Sequence, residues 1–85
     1  MKPQETLRRL RLGSPNVRFR HMRNLVERYG FRLARVSGSH HIFRHPAVKE
    51  LLNLQEVDGS VKRYQAQQFL RIVDEYRLRM SDDDD

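Results

Sequence analysis

At Gly30 the hydrophobic pattern of the chain changes period. Before it, Phe19, Met22, Leu25, Val26 and Tyr29 recur at helical spacing and leave Arg20, Arg23, Glu27 and Arg28 to water. This predicts an amphipathic helix from about Arg18 to Tyr29, ended by Gly30. After it, Phe31-Arg32-Leu33-Ala34-Arg35-Val36 reads as a strand, Ser37-Gly38-Ser39 as a hairpin turn and His40 to Arg44 as the returning strand. Pro46 has no N–H for a central ladder and marks the end of that strand. A helix stripe running straight into a tight hairpin commits the chain to a mixed α and β fold.

The flanking segments extend this reading. Residues 3–12 form an arginine-rich helix with Leu7 and Leu10 on one face, and Gly13 is placed to stop it before the turn Gly13-Ser14-Pro15-Asn16. Leu51 to Val57 reads as a third strand and Asp58-Gly59-Ser60 as a further turn. A last helix is expected over about Tyr64 to Leu78, with Ala66, Phe69, Leu70, Val73 and Tyr76 as its buried stripe. The expected class is α+β in the order α-α-β-β-β-α. A three-stranded antiparallel sheet carries helices on one face and leaves the other open. The chain divides into an N-terminal helix and turn (1–15), a main domain (16–80) and an acidic tail (81–85) expected to be disordered. No internal repeat is present.

Charge narrows the partners. Lys and Arg number 17 against 11 Asp and Glu, and four of those acids are the run Asp82 to Asp85. Residues 1–81 therefore carry 17 cations against 7 anions, a net +10. So basic a body in an 85-residue chain points to a polyanion partner, nucleic acid above all. The chain has no cysteine to staple its small core. No run approaches the roughly 18 apolar residues of a membrane span, and the N-terminus lacks the apolar core of a signal peptide. A cytoplasmic location without a membrane partner is the expectation.

Three of the four histidines, His40, His41 and His45, fall within six residues, flanked by Arg35 and Arg44. Histidine is the side chain that both gives and takes protons near neutrality. Arginine supplies a fixed charge suited to phosphate. Cleavage of an RNA backbone needs both, because the 2′-OH loses a proton as the phosphorus gains charge. Strand alternation puts His40, Ile42 and Arg44 on one face and His41, Phe43 and His45 on the other. Phe43 is the bulkier apolar residue, which favours its face as the one against the helices and leaves His40 and Arg44 on the open face. Ile42 would serve equally as the core residue, so alternation alone leaves the choice open.

Gly30-Phe31, the run Arg35-Val36-Ser37-Gly38-Ser39-His40-His41-Ile42-Phe43-Arg44-His45-Pro46, Leu54-Gln55 and Lys62-Arg63-Tyr64-Gln65 together resemble the HicA family of bacterial toxins. The similarity covers about residues 16–78. The helix before Gly13 resembles that of the longer members, and the aspartate tail has no counterpart in the pattern. The resemblance implies a fold like that of a double-stranded-RNA-binding domain (dsRBD-like). It implies a ribosome-independent mRNA endonuclease, the toxin of a toxin–antitoxin pair, held inactive by a HicB-type antitoxin. It also implies that the histidine directly after Gly-Ser, His40, is catalytic.

The other candidates are contacts to RNA. Arg35 and Arg44 suit phosphates, although any basic surface offers such residues. Ser39 offers its hydroxyl or backbone N–H to phosphate, or simply shapes the turn. His41 fills its face or touches substrate. Lys62 stands at the start of the last helix, whose N-terminus also attracts anions. Tyr64 is expected to pack against the sheet rather than stack on a base. His45 is read as a structural residue at the strand's end. A metal site is not expected: on a strand, four residues separate His41 from His45 by about 13 Å, too far for one ion. Any nuclease activity is then metal-independent, with water, Ser39 or His41 as the second acid or base and no cofactor. The alternative function is a non-catalytic RNA-binding module, for which the basic surface suffices. A protein-binding role for the acidic tail is a third reading.

Overall fold

The computed structural model describes residues 1–81, so the Asp82 to Asp85 run and the expectation attached to it lie outside the described residues. The elements follow in the order α1 (Pro3–Arg11), α2 (Phe19–Arg28), β1 (Arg32–Ser37), β2 (His40–Arg44), β3 (Leu52–Val57), β4 (Ser60–Val61) and α3 (Arg63–Tyr76). The strands form one antiparallel sheet in the order β1-β2-β3-β4. The expected meander is its first three strands. The fourth is an addition, since two residues are too short to show alternation. It exists because Asp58 (φ 52°) and Gly59 (φ 78°) both take the positive φ of a type I′ turn and fold the chain straight back on β3.

The α2 stripe is buried throughout, from Phe19 to Tyr29. Helix α3 buries Ala66, Phe69, Ile72 and Val73, with Leu70 and Tyr76 at the margin of the core. Helix α1 joins the same core through Leu10 and Thr6. Against these helices the sheet presents Phe43, Leu52 and Leu54, each fully buried. Phe43 rather than Ile42 is thus the core residue of β2, and His40, Ile42 and Arg44 share the open face.

The junction of α2 and β1 is tightly determined. Gly30 N donates to Glu27 O and Phe31 N to Val26 O, a Schellman ending that needs the positive φ of Gly30 (97°). The His45 ring packs against the same point. Its Nε2 donates to Tyr29 O at 2.9 Å, its Nδ1 accepts from Ala47 N at 3.0 Å, and its ring meets Phe31 edge-on at 5.0 Å. These bonds bear out His45 as a structural residue that seats the end of β2 on the end of α2.

Strand β1 is exposed along its whole length and forms the free edge of the sheet. Its register shifts between Leu33 and Arg35, so Ala34 is a bulge. The extra residue inverts the alternation beyond it. Arg32 pairs with Arg44 and Arg35 with Ile42, which puts both arginines on the open face. Leu33 and Val36 turn to the other face beside Phe43 and His41, yet stay 40% and 51% exposed because no helix reaches over the edge.

Candidate functional site

The β1–β2 connection positions the leading histidine. Ser37 and His40 are cross-strand partners, leaving Gly38 and Ser39 as a two-residue turn. A positive φ at Gly38 (61°), the first central position, suits a type II′ turn. Space is not the constraint there, since a Cβ on Gly38 would meet nothing within 4 Å. His40 emerges from this turn opposite Gln55 of β3.

On the open face His40 Nδ1 lies 3.2 Å from Asn53 Oδ1. An amide oxygen only accepts, so Nδ1 carries the proton and Nε2 presents its lone pair. No hydrogen bond to Nε2 is made among the described residues, and the residue is half-buried. Asn53 is the residue that sequence reasoning missed. The alternation Leu52-Asn53-Leu54-Gln55 marks it as facing away from the core, but only the β2–β3 register brings it to His40.

The surroundings of the turn are tied down from β3 and α3. Gln65, buried in the first turn of α3, accepts from Gln55 N at 2.6 Å, on the side of β3 where β4 pairs only with Glu56 and Val57. Gln55 Nε2 donates to Ser39 Oγ at 3.4 Å, and Glu56 N donates to Ser39 O at 3.0 Å. Ser39 therefore has a defined place beside His40. His41 points to the opposite face: its ring packs against Phe19 at 4.5 Å, tilted by 49°, and its Nδ1 donates to Ser39 O at 3.2 Å. His40 and His41 do not converge on one space. The fourth histidine, His21 of α2, is held below its ordinary pKa, first by burial and then by the N-terminal amine and nearby arginines.

Ion pairing separates the two sides of the molecule. Among the described residues, acids on the helices pair with helix arginines: Glu5 with Arg8, Glu27 with Arg23, Asp74 with Arg11 and Glu75 with Arg71. On the sheet, Arg32, Arg35 and Arg44 have no carboxylate within ion-pair reach among the described residues. Lys62 caps the start of α3 just after Val61, whose partner Glu56 neighbours Gln55, so it lies at the His40 end of the sheet, two strands away. Tyr64 departs from expectation. It is 62% exposed, because the first turn of α3 turns Gln65 and Ala66 inward and Tyr64 outward. Among the described residues no three potential metal ligands come together.

One face covered by helices, the other open, and the α-α-β-β-β-α order with a short fourth strand define a dsRBD-like α+β domain. The family described as the HicA toxin of bacterial toxin-antitoxin systems matches residues 19–73, well over half of the chain, and the chain belongs to it. Its role is that of the toxin whose partner is an antitoxin. Searches of curated proteins and of solved structures returned no match. Among the described residues no helix is long and apolar enough to cross a membrane.

Proposed function

We propose that this toxin is a metal-independent, ribosome-independent endoribonuclease acting on mRNA, with His40 as its general base. The observation that carries the reading is the free Nε2 of His40, oriented by Asn53, on a face whose arginines have no carboxylate partner among the described residues. In the proposed step Nε2 takes the proton of a ribose 2′-OH. The 2′-oxygen attacks the adjacent phosphorus, the bond to the 5′-oxygen breaks, and the leaving oxygen takes a proton from solvent. The products are a 2′,3′-cyclic phosphate and a 5′-OH end. Arg35, opposite Ile42 on the neighbouring strand, is the arginine nearer His40 and neutralises charge on the non-bridging oxygens, while Arg44 at the far end of β2 holds a flanking phosphate. Ser39 and Lys62 extend the phosphate-binding surface at the turn. His41, turned toward Phe19, supports the turn from behind and reaches RNA only at its edge.

A HicB-type antitoxin is the proposed cover for this face. Acidic or hydrogen-bonding groups set against Arg35, Arg44 and Lys62 make its binding compete with RNA. A pure RNA-binding module has no use for a titrating side chain held in one tautomer at a turn, which favours the nuclease over the binder.

The test is incubation of the purified chain with a long mRNA in EDTA, followed by mapping of the ends. Cleavage is expected, lost by about 100-fold or more in His40→Ala while RNA affinity persists. A 2′-deoxy substitution at the scissile nucleotide blocks it. If His40→Ala cleaves like the parent, the assignment is wrong.

A further inference from the structure

At the end of β2 remote from His40, the sheet and the β2–β3 connection enclose a recess of about 500 Å³. Arg32, Arg44 and Lys49 supply its charge, and Pro46, Val48 and Leu51 its apolar wall. None of its lining residues is acidic. The nearest acid along the chain, Glu50, turns away: it accepts from Tyr76 Oη at 2.7 Å and lies 3.9 Å from Arg71.

Two observations mark the recess as built for an anion. Arg32 and Arg44 are direct cross-strand partners. Like charges in that relation weaken a sheet unless something negative lies between them. The wall is also formed in advance. Ala47 N donates to His45 Nδ1, Val48 N to His45 O and Lys49 N to Tyr76 Oη, and Val48 is buried. A preformed site loses little ordering entropy on binding.

We infer that this recess is a nucleotide subsite, holding a phosphate on Arg32, Arg44 and Lys49 and a base against Leu51 and Pro46. The inference rests on the proposed action on RNA and assigns the path of the strand. Arg44 shares the open face with His40, four residues along β2, about 13 Å away. At the stacked rise of about 3.4 Å per nucleotide, that distance spans about four nucleotides, and fewer in an extended strand. RNA therefore runs along β2, with the scissile phosphate at the turn and a flanking nucleotide in the recess. Arg32 and Lys49 become specificity and affinity residues remote from the chemistry.

The test uses the non-cleaving His40→Ala chain and measures binding of a single-stranded oligoribonucleotide and of a dinucleotide by fluorescence anisotropy over a range of salt. Adding Arg32→Ala and Lys49→Ala is expected to weaken the long RNA at least tenfold. The slope of log affinity against log salt should fall by about 0.7 for each phosphate no longer neutralised. A dinucleotide is long enough to fill the recess by itself, so its weaker binding should fall with the same two substitutions. Equal affinity and slope for the long RNA with and without the two substitutions overturns the subsite while leaving the nuclease reading intact. RNA binding that persists while antitoxin binding is lost overturns it in favour of a protein contact. Failure of the His40→Ala chain itself to bind RNA overturns both readings.

Discussion

Asn53 offers the sharpest check on how the site works, because its side chain is seen to hold His40. Its Oδ1 accepts from Nδ1 at 3.2 Å, which fixes the tautomer and directs the Nε2 lone pair outward. Asn53 is half-buried on the open face and takes no part in the core, so Asn53→Ala should fold as the parent does. One neutral hydrogen bond is worth about 0.5–1.5 kcal/mol net. If that energy goes into orienting the base, kcat/KM for RNA cleavage should fall about 2- to 13-fold at 1.36 kcal/mol per decade. Asn53→Asp separates orientation from simple packing. A carboxylate at the same place accepts the same proton but favours the charged ring. A general base works unprotonated, so the rate falls as pH drops through its titration. The acidic limb of the pH–rate profile should therefore move to higher pH in Asn53→Asp, with activity recovered above that of Asn53→Ala on the alkaline side. The assay is initial-rate cleavage of a labelled RNA across pH 5 to 9 in EDTA. Parent-like kcat/KM for Asn53→Ala, with an unmoved profile for Asn53→Asp, would refute the positioning role.

Three further outcomes follow from the geometry. Gly30→Ala should destabilise the fold by about 2–3 kcal/mol, from a left-handed alanine and a displaced His45 bond, because the new Cβ meets His45 Nε2 at 3.0 Å; thermal melts that move by less than a degree would sink this account. Arg32→Glu converts a like-charge cross-strand pair with Arg44 into an opposite pair; denaturant melts should show a gain of up to about 1 kcal/mol together with weaker RNA binding, and a lower melting point would contradict the pairing argument. Asp74 joins α3 to α1 through a two-pronged bond from Arg11, at 2.9 and 3.0 Å, which holds its carboxyl below the usual aspartate range. That stabilisation is complete above the unfolded aspartate value and is lost as pH falls through the lowered folded value, so the melts of parent and Asp74→Asn should differ at pH 7 and converge in acid.

The helices and the hairpin were legible because their signals are local. The α2 stripe faces one core along one helix, so its period of burial is its period in sequence. Gly38 and Ser39 form a turn between immediate neighbours, and His40 follows within one residue, which is why it leads the candidates. Tyr64 escapes such reasoning for the converse cause: whether the first turn of α3 presents Tyr64 or Gln65 to the sheet depends on where β4 ends, and a two-residue strand leaves no periodic trace.

By itself the sequence determined the order of the helices and main strands, the sharing of one β2 face by His40 and Arg44, the excess of positive charge and the family pattern around Gly38-Ser39-His40. Each depends on residues close together in the chain, where periodicity, turn chemistry and charge act directly. Only the tertiary structure decided which side chains meet. Strict alternation puts Arg35 on the face of Leu33 and away from Arg32; the bulge at Ala34 reverses this and gathers both arginines on the open face. The β2–β3 register sets Asn53 within reach of His40. The pairing of Arg32 with Arg44, and the loop that returns Lys49 to them, make a recess from residues as far apart in the chain as Arg32 and Leu51. Register and bulges are properties of paired strands, and a one-residue shift exchanges the two faces of a sheet.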